Sequence, residues 1–588
     1  MLGLLLCWVA LTVVGLAIGT LLLAQFDCVA PLECILDRII LAAWIGILVF
    51  GALLLLLALV APLSTPASVT ILALAGCGSV LIWRRHGIAR LVKSSLASSA
   101  PAIAILVPIA AFTFAGPVDL YDTGLYHYQA VKWLSEVGVA PGLSFLHARL
   151  GHQSSWLALA AAYDNGVMEA RVPAILGGYA TLLVALHFVS LLSRIAAGGQ
   201  RLSATFLAAG YATILPPAIW WEASNSLSPD WPVWILSLMC FWSILLASEL
   251  KAGFWTPVLI SLCAASIKLA ALPLVFFAVL FYATRVQKPK SRVLCVGACA
   301  LGLLPIMATQ FIATGCPAFP STWLCASAPQ SEVAAAHQAA ILEWGRWGGT
   351  APEGSGALDW FLVWCRAPDK LALLALSLAC ALFLLLDKQS WKLAGVRWVF
   401  STAVAGALLL FVTSPNPRFG LGFFAAFPAL ALAALLHRWG GSHSNGPSFS
   451  TGRSLRALAV ALGAITLALG FARDRSYTEA TDVNLNYGQR LVLPERLPGE
   501  PGSIALVRNR RSFKKQVLQF EKKTVNDVHY ISPVSGDQCW AASIPCTPAA
   551  PPRGLRYRDS AVGNLSGFVV AAVGGSHSIV VLRGMGPM

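Results

Sequence analysis

Apolar runs dominate the chain. They fall at about 2–24, 38–61, 69–83, 101–117, 172–193, 202–221, 232–249, 254–284, 293–313, 371–386, 398–413, 421–436 and 455–472. Most are close to the roughly 20 residues that carry a helix across a hydrocarbon core of about 30 Å. This pattern predicts an all-α polytopic membrane protein with about 13–14 transmembrane helices. The run 254–284 is too long for one simple crossing, and Lys268 and Pro273 interrupt it, which predicts two short helices in a hairpin. The first run has no basic segment ahead of it and no small-residue cleavage site, so it reads as a retained helix.

Polar stretches between the runs carry the orientation. Basic loops occur at Arg84–Lys93, Arg194–Arg201, Lys251, Arg285–Arg292, Lys388–Arg397 and His437–Arg456. Basic loops collect on the cytoplasmic side. The opposite side then receives 118–171, 222–231, 314–370, 414–420 and everything from Arg473. The N-terminus joins that outer side, and the acidic 25–37 loop lies inside. After residue 472 charge and proline rise and apolar runs shorten, which predicts a transmembrane domain over 1–472 and a small extracytoplasmic domain over 473–588. Within the latter, Ile504–Arg508, Val517–Phe520, Phe568–Val573 and Ile579–Leu582 read as strands, the last two joined at Gly574–His577. Arg508–Lys515 is a basic patch, read as solvated surface or as a contact for anionic headgroups. Loop 314–370, with its tryptophans, reads as an ordered cap.

Composition agrees with this reading: 57% of the 588 residues are hydrophobic, 11% are charged, and mean hydropathy is +0.72. The net charge of +15 points to cytoplasmic loops and anionic lipid, not to nucleic acid. Half of the 14 cysteines lie inside apolar runs and read as small core residues. The exceptions are Cys28/Cys34, Cys316/Cys325, Cys365 and Cys539/Cys546, which are candidate disulfides where their loops lie outside, Cys316/Cys325 and Cys539/Cys546 foremost. There is no Cys-x-x-Cys pair and no zinc-like His/Cys spacing.

The densest group of chemically capable side chains lies in Gly116–Trp156: Asp119, Asp122, His127, Lys132, Glu136, His147, Arg149 and His152. Thr123–Leu134 has helical periodicity, with Leu125, Tyr128, Val131, Trp133 and Leu134 able to share a buried side, and Gly138–Gly142 ends it. Asp122 precedes that helix. It is either an N-cap, contributing about 1 kcal/mol, or a carboxylate held for general-base or metal-ligand work. Asp122 and Asp119 are the candidate catalytic residues. His127 and His152 are substrate-binding candidates whose bland reading is surface histidine on an amphipathic helix. Arg149, Arg171, Asp230, Lys268 and Arg418 complete the candidate substrate-binding set. Charge at membrane depth costs at least about 2.5 kcal/mol and so marks function, although snorkelling covers Arg171 and Arg418, and N-capping covers Asp230. Cations and carboxylates on one face suit a phosphorylated lipid and a proton transfer.

At these residues the chain resembles the GT-C membrane glycosyltransferases, especially the branch of bacterial aminoarabinose transferases and protein O-mannosyltransferases. The matching elements are Asp122-Thr123-Gly124-Leu125-Tyr126 with Ala130 and Gly138, then Arg171 opening a helix, Ser228-Pro229-Asp230-Trp231-Pro232, Lys268 in an apolar hairpin, and Arg418-Phe419 followed by Pro428-Ala429-Leu430-Ala431. Together they cover about residues 100–440. Thr123 replaces the second acid of that branch, and Arg149–Trp156 stands where a Lys-Pro-Pro element is expected. The run from Tyr121 through Trp156 looks closer still to uncharacterised bacterial multi-pass proteins of the same superfamily.

The resemblance implies a polyprenyl-phosphate-linked sugar as donor, a glycan, lipid or protein as acceptor, and a place in the bacterial inner membrane with the active site facing the periplasm. It requires no cofactor and is compatible with a divalent metal. The alternative classes are a transporter or flippase of an anionic lipid-linked sugar, and a non-catalytic envelope assembly protein.

Overall fold

The computed structural model describes residues 1–26, 34–64, 76, 78, 88–198, 201–220, 223–356, 358–440, 451–509 and 512–570. The expected run 69–83, the basic cluster Arg84-Arg85-His86, the tips Arg510 and Arg511, and the expected turn and strand at 574–582 lie outside those residues, wholly or, for 69–83, nearly so. The chain is mostly helical, with a small β region at its end. Ten described helices are long and apolar enough to cross a membrane, and three shorter apolar helices accompany them, at Ser99–Phe114, Trp255–Ile267 and Leu269–Arg285. The count of 13–14 expected crossings is therefore met only by including short segments.

The helices run in order: α1 (Leu2–Gln25), α2 (Ile35–Leu57), α3 (Ile88–Phe114), the short α4 (Tyr128–Glu136) and α5 (Ser155–Ala161), then α6 (Val172–Ala196), α7 (Leu202–Trp220), α8 (Asp230–Leu250), α9 (Trp255–Ile267), α10 (Leu272–Arg285) and α11 (Pro289–Thr314). After a cap made of α12 (Ala328–Trp347) and α13 (Asp359–Cys365), the bundle resumes with α14 (Pro368–Leu386), α15 (Val396–Thr413), α16 (Leu421–Gly440) and α17 (Thr451–Thr481), and α18 (Tyr487–Val492) follows. Proline occupies the first turn of α6, α10, α11, α12 and α14, where its missing N–H costs nothing. α1 and α2 cross closely because their contact is made of small residues. A Cβ on Gly46 would run into the Gly15 backbone, and one on Gly19 into that of Ala42.

Contacts divide the helix ends into two groups. At one end Arg194 grips Asp37 through two hydrogen bonds of 3.0 and 2.9 Å, Ser203 bonds Glu249, and Arg438 bonds Asp387. These are the ends that carry the basic loops. At the other end gather the Met1 ammonium, donating to the Arg490 carbonyl, and Ala58, whose carbonyl accepts from Val139. Asn225, which bonds the Pro117 carbonyl, and Pro415, which accepts from Trp364, lie there too. The alternation read from loop charge thus agrees with the arrangement in space.

The 254–284 run is a hairpin. Trp255 at the start of α9 meets Tyr282 at the end of α10, with ring centroids 4.7 Å apart, and Phe254 meets Phe281. Lys268 takes an extended conformation at the tip, φ −154° and ψ 125°. The two helices have 13 and 14 residues. At about 1.5 Å per residue each spans roughly 20 Å, short of a core of about 30 Å. The hairpin therefore delivers its lysine inside the bundle instead of carrying it across.

The C-terminal region departs from expectation. α17 runs through residue 472 to Thr481, so the expected domain boundary falls inside a helix. Three antiparallel two-stranded sheets follow: β1 (Ile504–Asn509) with β2 (Ser512–Val517), β3 (Phe520–Val525) with β4 (Val528–Pro533), and β5 (Leu555–Tyr557) with β6 (Phe568–Val570). Residues 518–519, expected within a strand, instead separate β2 from β3, because the hydrophobic pattern there marks a connection between two hairpins. Both candidate disulfides, Cys316–Cys325 and Cys539–Cys546, are formed.

This region is knitted to 116–171. Gln129 donates to the carbonyls of Trp540 and Ala542 at 3.0 Å, and Trp540 N–H donates to Gly124 at 2.8 Å. Gln538 donates to the Tyr121 carbonyl, and the Tyr121 hydroxyl to Asp537. The Trp540 ring lies directly over Gly124, where any Cβ would overlap it. Replacing Gly124 with valine is expected to lift Trp540 out, at a cost of about 1–3 kcal/mol. Faster limited proteolysis between residues 535 and 550 would register it; an unchanged digestion pattern would refute the clamp.

Candidate functional site

At the end of the bundle opposite the basic loops lies a cavity of about 440 Å³. Its ionised side chains come from five separate places. Asp122 immediately precedes a five-residue π-helical turn, Thr123–His127, and does not cap it; no side-chain hydrogen bond runs back to that turn. Arg149 sits in the 3-10 turn Ala148–Gly151, Asp230 is the first residue of α8, and Lys268 is the hairpin tip. Arg418 belongs to the 3-10 turn Pro417–Gly420, which Asn416 caps by accepting from the Arg418 N–H at 3.1 Å. Trp234 of α8 donates to the Arg418 carbonyl at 2.7 Å and fixes that turn against the helix.

Arg418 is the hub. Its guanidinium donates to Asp122 Oδ2, and its Nε lies 3.2 Å from Asp230 Oδ2. Lys268 Nζ holds the other oxygen of Asp230 at 2.6 Å. Arg149 Nη1 is 3.8 Å from Asp122 Oδ1 and lies over the Tyr126 ring. The Phe419 ring sits 4.1 Å beneath the Lys268 ammonium. Three cations thus face two carboxylates, one positive charge in excess. The walls are largely apolar, including Leu157, Ile267, Leu269, Leu272, Leu409 and Leu410.

The other expected site residues are distributed differently. His152 lines the cavity and bonds His337 of the cap, Nε2 to Nε2 at 2.9 Å. His127 is buried behind Asp122 against Tyr126, not on a surface, because α4 is enclosed from Tyr128 to Ser135 and most of the preceding turn is enclosed with it. Asp119 is also buried, near Arg473, away from the cavity lining. Arg171 does not join the cluster: it turns to the C-terminal region and donates to the Pro494 carbonyl. Sequence reading missed His337, Gln310 and Phe319, which line the cavity. His337 stands beside Gln338 between alanines of α12, and no local spacing links it to residue 152.

Burial pushes the Asp122 carboxyl upward, but Arg418 and Arg149 outweigh it and hold the group well below the usual carboxylate range. The histidines shift the other way. Burial lowers His127 to about 4 and both His147 and His152 to about 3, and it also drives His337 down, so all four are neutral near pH 7. Among the described residues no group of three or more His, Cys, Asp or Glu converges as metal ligands. Between Asp122 and Asp230 stands Arg418, whose cation fills the place a shared divalent ion would need. The residues present do not fit such an ion.

Two outcomes follow from this electrostatic arrangement. Arg418→Leu leaves two buried carboxylates without their common cation, and a loss of about 3–5 kcal/mol is expected, measurable by thermal or chemical unfolding in detergent. Adding Asp122→Asn to that variant should recover part of the loss, whereas strict additivity would contradict the pairing. The depressed histidines make the unfolded chain bind more protons below about pH 6.5. Stability should therefore fall as pH drops from 6.5 towards 4. Asp164, which burial raises to about 6, and Glu495, which burial also raises, oppose this with two groups against four. A melting temperature that rises over that interval would contradict the buried neutral histidines.

No curated protein and no solved structure matches the chain. A family model described as Domain of unknown function (DUF8201) matches residues 1–425, a stretch that holds every ionised side chain of the cavity and excludes the β region. The chain belongs to that family.

Proposed function

We propose that this chain is an integral membrane glycosyltransferase of GT-C type that moves a sugar from a polyprenyl-phosphate donor to an acceptor of the bacterial cell envelope, with its cavity on the periplasmic face of the inner membrane. One observation carries the reading. Asp122, Asp230, Lys268 and Arg418, spread over about half of the chain, meet in one apolar-walled cavity at the end opposite the basic loops. The apolar wall suits the isoprenoid part of the donor and the cations suit its phosphate.

The charge balance supports the same chemistry. The free cluster carries one excess positive charge, and a glycosyl phosphodiester brings one negative charge. In the transfer, the acceptor oxygen forms a bond to the anomeric carbon, the bond from that carbon to the phosphate oxygen breaks, and its electron pair leaves on the polyprenyl phosphate. That leaving group carries one more negative charge than the diester did. Asp122 takes the acceptor proton and becomes neutral, so the site gains the matching positive charge. Attack on the face opposite the leaving phosphate inverts the anomeric centre. Asp122 is a weak base while Arg418 and Arg149 hold it. A phosphate that draws those guanidiniums towards itself would release the carboxylate as the donor binds, which ties base strength to occupancy. Lys268 and Arg418 neutralise the leaving group, and Asp230 holds both in position.

Transfer of labelled sugar from polyprenyl-phosphate donors by the purified chain is the direct test. Asp122→Asn, nearly isosteric, should lower the rate at least about a hundredfold with the donor still bound, while Lys268→Gln should weaken donor binding as well. Full activity in Asp122→Asn would remove the assigned base. Flux of a lipid-linked sugar in proteoliposomes with no covalent product would favour the transporter class instead.

A further inference from the structure

The cavity has two ends of different chemistry. The first is the ionic cluster around Arg418. The second, under the cap, is neutral. There His152 and His337 bond one another, and His337 stacks on Phe319 with the rings 13° from parallel and 5.4 Å between centroids. Gln153 and Gln310, 4% and 3% exposed, line the same end, and neither side-chain carbonyl oxygen has a hydrogen-bond partner among the described residues. A buried unmet acceptor costs about 1–3 kcal/mol, and two such oxygens, each shielded from solvent, belong to residues that line one cavity, which points to a ligand that supplies donors as the amides turn towards it.

We propose that this neutral end recognises an uncharged polyhydroxylated ring, and that His337 and Gln310 determine which ring is accepted. The inference rests on the glycosyl-transfer reading for the ring's identity as the donor's hexosyl or pentosyl group. Two carbonyl oxygens would repel a phosphate and accept from hydroxyls. A neutral imidazole pair offers one donor and one acceptor, and its pattern can reverse by tautomer exchange to suit a hydroxyl in either sense. Phe319 supplies an apolar wall beside them. Burial keeps the two imidazoles uncharged, so the pair persists near pH 7. The arrangement also assigns a task to the cap: His337 comes from α12, and Phe319 from the loop closed by the Cys316–Cys325 disulfide. Selectivity would then reside in residues 310–338, separately from the ionic chemistry.

The test uses the full-length chain in a polyoxyethylene detergent, which carries no sugar. The probes are octyl glucoside, octyl galactoside and octyl mannoside below their micellar concentrations, and decyl phosphate, each titrated by thermal shift. At least one glycoside and the phosphate should bind the native chain saturably. Gln310→Leu and His337→Phe should each weaken the preferred glycoside about tenfold and change decyl phosphate by less than about twofold. His337→Gln should keep most of the glycoside affinity. Retained phosphate binding reports that the variants fold. Unchanged glycoside affinity in both apolar variants, equal loss of both probes, or no saturable glycoside binding by the native chain would each overturn the proposal. If phosphate binds and glycosides do not, the neutral subsite fails and the transfer reading stands. If glycosides behave as expected and no transfer product ever forms, the subsite stands and the transfer reading fails.

Discussion

Arg418 bridges two buried carboxylates that stand about a hundred residues apart in the chain, and much of the cavity end of the bundle is arranged to make that bridge affordable. A guanidinium out of water is costly unless its donors are met and its charge is matched. Asp122 and Asp230 supply the match, Lys268 takes the spare oxygen of Asp230, and Arg149 stands by the spare oxygen of Asp122. Each of these groups needs its own support. Trp234 and Asn416 pin the Arg418 turn, the hairpin of α9 and α10 raises Lys268, and the clamp of Gln129 and Trp540 braces the turn that follows Asp122.

That clamp changes what the C-terminal region is. Its six short strands form three separate pairs, and a two-stranded pair is at best marginally stable alone in water. The β5–β6 pair lies on the loop 116–171, where Phe568 N–H donates to the Pro141 carbonyl, and β1–β2 lies against α17. The stabilisation is mutual, since the loop has little regular structure to hold it otherwise. Arg490 adds a second fastening, donating to the carbonyls of Phe112 and Thr113 at the end of α3 and pairing with Asp474. The region is a buttress for the cavity, although it lies outside the stretch that defines the family.

The cavity separates charge from neutral polarity. One end concentrates cations around two acids, and the other holds imidazoles and amides that stay uncharged. A lipid-linked sugar has the same division, an anionic phosphate beside a neutral ring. The hairpin tip, the cap and the loop 116–171 all line the cavity, so a ligand filling it would touch elements far apart in the chain.

The membrane-crossing pattern, the alternation of loop ends, the hairpin at Lys268 and both disulfide pairs were legible in the chain, because length, apolar periodicity and loop charge are local quantities. Asp122, Asp230, Lys268 and Arg418 were legible as individuals, since ionised residues at the edge of apolar runs are expensive. Their partnerships were not. Nothing local says that Asp122 forgoes its helix cap for an arginine nearly three hundred residues away, or that Arg171 turns to Pro494 instead. His337 and Gln310 were silent for the same reason, being ordinary residues in ordinary helices until the cap folds over His152. The β region was legible as a change of composition, but composition marks solvent exposure and does not reveal what a strand leans on. Composition and spacing determined which elements form and which end of the bundle carries charge. Only the tertiary structure decided which charges pair, because burial removes the water that would otherwise have answered each of them alone.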